Sequence, residues 1–574
     1  MKYGPKARRS QLLSTYGIGG LFPSESTSYM IVGLDEWRVG RAPVISEPRL
    51  ARSLGVQELK SPPAGGKNDI PVIRFPVTQV CPACRRIGSV YDLSKDWNVA
   101  TCASCPSKDD LTPFRLIVAC TRGHVGEFPY WRWLHGRPST GDDKHLMTLT
   151  ALGRTSSLAD LVLKCSCGVA PRSLEGSTTP KALAEFGFCR GDRPWLGPDH
   201  KQDCTEIPKV LQRGASNVWF PAVRSAISIP PYSEALAKFV DRHWVVLKDP
   251  EAITDKGLDN LAGSSKGRFS VVDIKHEVDR RLGETHGSPL DEAALRRQEF
   301  NALVEGRVDD VLDSDFVCIP MELAGDLPKL VTEVRKVTRL REVRALRGFS
   351  RLEGTGDDGT ETLCALSHSV EHWLPAVEVI GEGIFVAFDH HALASWAEKP
   401  FAQHRRMMLD KAAKRMAAET RRPEPLTVDI VRVAMHTLAH VIIDQLSLDA
   451  GYPAASLRER LYVGSDSAGI LVYTASSDSA GSLGGVASQA DPDRFASALR
   501  EGLTRLSWCS ADPVCIESTG SGVDALNLAA CHACVLVPET SCELNNTFLD
   551  RALLFGTHDL GEESEGLFSD YLNN

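Results

Sequence analysis

The sequence of 574 residues has no apolar run near the ~18 residues that a membrane-crossing helix needs. Its start, Met1-Lys2-Tyr3-Gly4-Pro5-Lys6, lacks the continuous apolar core of a signal peptide. A cytoplasmic protein without membrane attachment is expected. No Gly-x-x-x-x-Gly-Lys-[Ser/Thr] occurs, so there is no recognisable P-loop for ATP. His-Glu-x-x-His is missing too, which removes the usual metalloprotease helix. An excess of basic charge is also lacking. The 65 Lys and Arg face 74 Asp and Glu, for a formal net charge of -9. That excludes a nucleic-acid coat but leaves room for local basic faces. With 43 % apolar and 24 % charged residues the composition is that of a globular protein. At ~100–200 residues per domain, the length predicts three or four domains.

What the sequence does hold is cysteine. Sixteen are present, and only Cys318 and Cys364 fall in the long middle. In a reducing compartment so many thiols point to metal ligands or small buried residues rather than disulfides. Cys81-Pro-Ala-Cys84 is followed, seventeen residues on, by Cys102-Ala-Ser-Cys105. Two such knuckles have the spacing of a zinc ribbon, whose closed tetrahedral site staples rather than catalyses. A second zinc site is expected from Cys165, Cys167, Cys189 and Cys204, with Gly168 relieving the short knuckle. Cys120-Thr-Arg-Gly-His124 could lend a ligand to either site, but is read as a buried cysteine beside a polar turn. In the third group, Cys509, Cys515, Cys534 and Cys542 are the expected ligands and Cys531 packs nearby; Cys531 and Cys534 are near-equal choices.

The pattern is mixed α/β and multidomain. Residues 1–75 form an N-terminal segment with the glycine turn Gly17-Ile18-Gly19-Gly20, read as a plain turn, although such a turn can cradle a phosphate. Zinc-ribbon-like modules fill 76–210, an α/β region 211–400, and a C-terminal α/β domain with a cysteine zinc site and an acidic tail 401–574. A helix is expected over 285–312, a buried strand at Ile384–Phe388, a helix from Thr427 to about Leu448, and a strand at Gly469–Tyr473. Residues 331–352 carry a net charge of +5 and residues 399–422 of +6. Such segregation permits contact with phosphate backbones, although solvated or paired faces are the commoner use. The candidate DNA contacts are Arg335, Lys336, Arg339, Arg344, Arg405, Arg406, Lys411, Lys414 and Arg415. In the expected helix, His436 and His440 share a face with Asp444. Core histidines are the favoured reading, and a metal site the other.

Several stretches resemble the DrmB family. They are Arg8-Arg9-Ser10-Gln11 with the glycine turn, Pro194-Trp195-Leu196-Gly197, Gln212-Arg213-Gly214-Ala215-Ser216-Asn217, Arg339-Leu340-Arg341-Glu342-Val343, and Gly348-Phe349-Ser350-Arg351-Leu352. From about Thr427 to Arg551 the chain looks like the zinc-binding domain at the C-terminal end of MrfA-type helicases. Its marks are His436, His440, the Tyr473 strand and Cys531-His532-Ala533-Cys534 to Cys542-Glu543. The resemblance implies a noncatalytic, zinc-containing accessory subunit of the DISARM anti-phage system. Its implied partners are DNA and a DrmA-like helicase, on which ATP would be hydrolysed. Two rivals stand beside it. One is a metal-assisted phosphodiester-hydrolysing enzyme using His436, His440, Asp444 and the Asp478–Gly485 loop; the other is a stand-alone DNA-binding module.

Overall fold

The computed structural model describes residues 6–24, 27–40, 42–66, 69–96, 99–106, 108–140, 143, 145–153, 155, 157–247, 249, 254–285, 290–308, 314–352, 354, 363–420, 426–474, 484–522, 525–557 and 565–573. The chain forms two compact units, each drawn from three stretches: 1–45, 56–224 and 344–377 in the first, and 46–55, 225–343 and 378–574 in the second. Segment 76–210 lies wholly in the first unit and 401–574 wholly in the second. Segments 1–75 and 211–400 contribute to both.

The first unit is built from small sheets. Thr78–Val80 pairs with Ile87–Ser89 and Thr112–Pro113; Leu116–Ala119 pairs with Val125–Glu127 and Lys209–Gln212; Leu161–Cys165 pairs with Met147–Ala151 and Arg172–Ser173. Strands this short bury little surface alone, and small sheets of this kind need a cross-link or shared packing to persist. Phe114, Phe128, Trp133, Leu163 and Leu174 supply the shared core.

The glycine turn is a packing element of this unit. Gly19 has φ +73°, and a Cβ there would come within 2.5 Å of the Phe349 ring. The Gly19 and Gly20 N–H groups donate to the carbonyls of Ile31 and Gly17. Arg351, fully buried, donates to the carbonyls of Gly19, Gly123 and Val218 at 2.7–2.9 Å. Trp195 and Trp219 pack on Phe349, and Trp219 Nε1 donates to the Ile18 carbonyl. Five distant stretches thus meet in one buried knot, and these two N–H groups of the turn are used within the fold.

The second unit has an antiparallel-rich sheet under helices on both faces. Phe316–Met321 pairs with residues 331–343 of strand Val331–Ser350. Next come residues 378–388 of strand Trp373–Phe388, then Ala468–Thr474, then Leu457–Val463. Side chains alternate across the sheet. Ile384, Val386, Ile470 and Val472 join one core with helices Pro400–Thr420, Ile430–Ala450 and Pro492–Leu506. Phe385, Ala387, Leu471 and Tyr473 join the other, with Phe300 and Leu303 of helix Glu292–Glu305. Burial on both faces explains why these strands read as unbroken apolar runs. Caps set the helix bounds more narrowly than periodicity does. Asp291 caps the helix Glu292–Glu305 and Gly306 follows its end; residues 309–313 lie outside the described residues. Asp429 accepts from the Val431 and Arg432 N–H groups, so that helix starts at Ile430, and Gly451 (φ +71°) ends it.

Candidate metal centres

Among the described residues every cysteine except Cys318 and Cys364 falls into one of five groups whose ligand atoms lie within 4.8 Å of one another. Cys81, Cys84, Cys102 and Cys105 form the first. Cys81 follows strand Thr78–Val80, and Cys84 lies in the turn before Ile87–Ser89. Sγ separations are 3.5 Å for Cys81–Cys105 and 3.8 Å for Cys84–Cys102. Zinc–sulfur bonds of ~2.3 Å make a tetrahedral edge of roughly 3.8 Å, so the donor set fits the ion. Burial pushes the Cys81 thiol up, yet the Cys84 and Ala83 N–H groups and the neighbouring thiols outweigh it and bring it down to about 7. A thiol so lowered is closer to the thiolate that a metal takes.

The expected second site divides in two. Cys189 and Cys204 meet Cys120 and His124, while Cys165 and Cys167 meet His135 and His145. Cys120 follows strand Leu116–Ala119 and His124 precedes Val125–Glu127, so the hairpin turn aims both inward. Cys120 Sγ lies 3.3 Å from His124 Nδ1 and 3.9 Å from Cys204 Sγ, and His124 Nε2 lies 3.2 Å from Gln202 Oε1. The Cys120 thiol lowers that of Cys189 to about 4, with burial opposing and His124 assisting. In the other group, Cys165 ends strand Leu161–Cys165, Gly168 (φ +85°) relieves the turn after Cys167, and His135 closes helix Tyr130–His135. Cys167 Sγ is 3.5 Å from His135 Nε2, and the buried His145 Nδ1 has no hydrogen-bond partner. The sequence favours a buried cysteine at Cys120-Thr-Arg-Gly-His124 over the lent ligand it also allows, whereas the structure groups Cys120 and His124 with Cys189 and Cys204; the sequence does not single out His135 and His145. The four-residue Cys120–His124 step is a knuckle signal; His135 and His145 carry none.

The C-terminal group is Cys509, Cys515, Cys531 and Cys534. Both near-equal candidates belong to it, and Cys542 does not. Sγ separations are 3.5 Å for Cys509–Cys531, 3.8 Å for Cys515–Cys534 and 3.6 Å for Cys531–Cys534. The Cys531 N–H donates to Cys534 Sγ at 3.2 Å. Cys542 sits instead against His436, His440 and Glu459, all fully buried or nearly so. A phosphodiester cannot reach imidazoles with no exposed surface, so the hydrolase alternative loses its base. Asp444 is half-buried and outside the group; Asp478, Ser479, Gly481 and Ser482 lie outside the described residues.

The basic stretches are sorted by the periodicity of their elements. Arg335 is buried on its strand, donating to Glu333 at 2.7–2.9 Å and to the Val304 carbonyl. Arg405 is buried, with a bidentate pair to Asp550 at 2.7 Å on each arm. Both leave the DNA set, because their charge is spent inside the fold. Lys336 and Arg344 are half-buried, and Arg339 lies 3.3 Å from Asp315. Arg406, Lys411, Lys414 and Arg415 are exposed on helix Pro400–Thr420, with Arg406 3.9 Å from Asp410. No helix among the described residues is long and apolar enough to cross a membrane.

Comparison with known proteins fits this geometry. Residues 438–535 match the model of the MrfA Zn-binding domain, a span that contains the four C-terminal thiols. Residues 8–220 match a model described as a domain of unknown function (DUF8724). The chain is 31 % identical over 576 residues to the DISARM protein DrmB of Bacillus paralicheniformis (strain ATCC 9945a / NCIMB 11709 / CD-2). That alignment covers 93 % of this chain and 98 % of the relative.

Proposed function

Because the chain belongs to the DrmB family of the DISARM anti-phage system, we propose that it is a noncatalytic accessory subunit that binds a DrmA-like helicase and helps hold foreign DNA. It acts in the cytoplasm, and ATP is hydrolysed on the partner. The observation that carries the reading is the likeness to a DISARM protein along nearly the whole of both chains. The MrfA-type match at the C-terminal end supports it: 401–574 serves as a helicase-associated domain supplied on a separate chain.

The metal centres have the chemistry of staples. Cys81, Cys84, Cys102 and Cys105 would hold one zinc ion, and Cys509, Cys515, Cys531 and Cys534 another. Cys120, His124, Cys189 and Cys204, and His135, His145, Cys165 and Cys167, would hold two more. With all four positions taken by protein, such a site leaves no place for a reacting water. The DNA path uses Lys411, Lys414 and Arg415, aided by Arg406, whose charges neutralise phosphates without reading bases.

The test is purification of the tagged chain from its own host after nuclease treatment, with mass spectrometry of what remains bound. A stoichiometric helicase surviving nuclease is the expected result. Salt-sensitive DNA binding by the chain alone, with no helicase retained, would refute the subunit reading in favour of a stand-alone DNA binder.

A further inference from the structure

We propose that His436, His440, Glu459 and Cys542 form a separate, fully enclosed site for a divalent transition cation of the zinc class. This site is additional to the four-thiol centre of the same unit. Its ligands come from three places: helix Ile430–Ala450 supplies both imidazoles one turn apart, strand Leu457–Val463 supplies the carboxylate, and Cys542 lies beyond the four thiols in sequence.

The second coordination layer fixes the imidazoles. His440 Nδ1 lies 2.8 Å from the Val535 carbonyl oxygen and His436 Nδ1 lies 3.4 Å from that of Phe548. A carbonyl only accepts, so each Nδ1 donates a proton there, and Nε2 is the ring atom that each imidazole turns inward. Metal-bound histidines are oriented in this way. His436 Nε2 is 3.1 Å from Cys542 Sγ and 3.2 Å from Glu459 Oε1; His440 Nε2 is 3.6 Å from the same oxygen. Tetrahedral edges built from ~2.0–2.3 Å bonds are roughly 3.4–3.6 Å for these donor types.

The pocket therefore gathers electron pairs without a matching proton supply. His440 Nε2 and Glu459 Oε2 are buried with no hydrogen-bond partner. Glu459 Oε1 already accepts the Glu543 N–H at 2.9 Å. Cys542 Sγ accepts the N–H groups of Leu544 at 3.3 Å and Asn546 at 3.2 Å, which suits a thiolate. A carboxylate and a thiolate buried together are costly unless a cation is paired with them. One divalent ion among two neutral imidazoles, a carboxylate and a thiolate makes the whole pocket neutral. Mixed nitrogen, oxygen and sulfur donors suit zinc, with cobalt(II) or iron(II) as competitors. All four side chains are ligands and no solvent reaches them, so the ion is structural.

The test uses the full chain loaded with cadmium, whose NMR resonance shifts with the number of thiolates bound. The two four-cysteine groups, the three-cysteine group and the two-cysteine group occupy the thiolate-rich range; this site, with one thiolate, gives a separate resonance at the opposite end. Zinc-loaded His440→Ala/Cys542→Ala is expected to carry one equivalent fewer of metal per chain, while Cys515→Ala loses a different one and keeps the single-thiolate resonance. Absence of that resonance in the wild-type chain overturns the proposal, whether or not the double variant folds. So does a folded double variant with an undiminished metal count, as a pocket filled only by protons would give.

Discussion

Arg405→Ala separates a buried ion pair from a DNA contact. The Arg405 and Asp550 side chains are 8 % and 0 % exposed, and the guanidinium meets both carboxylate oxygens at 2.7 Å. Removing the cation strands a carboxylate in the core, a change that typically costs about 3–5 kcal/mol. Asp550 keeps the N–H groups of Ala529 at 3.3 Å and Ala552 at 3.2 Å, which favours the lower end. A loss of about 3 kcal/mol raises the open population of this region by more than about a hundredfold. Hydrogen exchange reads it directly, because amides of helices Pro400–Thr420 and Ile430–Ala450 report their own opening. The linkage between these helices is explicit: Asp550 N–H donates to Thr437 Oγ1 at 3.1 Å. Replacing both partners, Arg405→Met with Asp550→Leu, should restore only part of the protection: no charge is stranded, but the Ala529 and Ala552 N–H groups lose their acceptor. Unchanged exchange in Arg405→Ala, or a DNA-binding defect without any change in exchange, would refute this assignment.

Three further outcomes are expected. Lys414→Ala/Arg415→Ala should leave the unfolding transition within about 0.5 kcal/mol of wild type and lower the slope of log K against log salt for DNA by about 1–2; an unchanged slope in the helicase complex would remove this face from the DNA path. Cys81→Ala/Cys84→Ala should release one zinc per chain by metal analysis and expose the small core of Val90, Leu93 and Leu111 to limited proteolysis. Gly123→Ala should destabilise the first unit by about 1–3 kcal/mol from the left-handed backbone alone, because φ there is +79° and a Cβ would collide with Cys364 Sγ. Thermal unfolding measures the loss, and Cys364→Ala in the same chain should recover the part due to the collision.

What could be read along the chain was whatever is local. Cys81–Cys84 and Cys102–Cys105 are knuckles within single turns, and their spacing alone pairs them. The strands at Ile384–Phe388 and Gly469–Tyr473 announce themselves because burial on both faces leaves no polar alternation. The helix carrying His436 and His440 was legible from proline before it and glycine after it. Its start moved to Ile430 because the Asp429 side chain, and not the apolar pattern, caps it.

Tertiary structure decided the partners. Cys165–Cys167 and Cys189–Cys204 stand close in sequence, yet the first pair, at the end of strand Leu161–Cys165, meets His135 from helix Tyr130–His135 and His145, while the second meets Cys120 and His124 from the turn between Leu116–Ala119 and Val125–Glu127. Cys542 lies eight residues from Cys534 but meets histidines from a helix about a hundred residues earlier. Charge runs show the same limit. Composition counts Arg335 and Arg405 with their neighbours, but the strand turns Arg335 inward while Lys336 points the other way, and the helix buries Arg405 against Asp550 while Lys414 stays in water. Ligand type and local spacing are properties of the chain. Which four ligands share an ion, and which cations remain free for phosphate, depend on where distant elements close against one another.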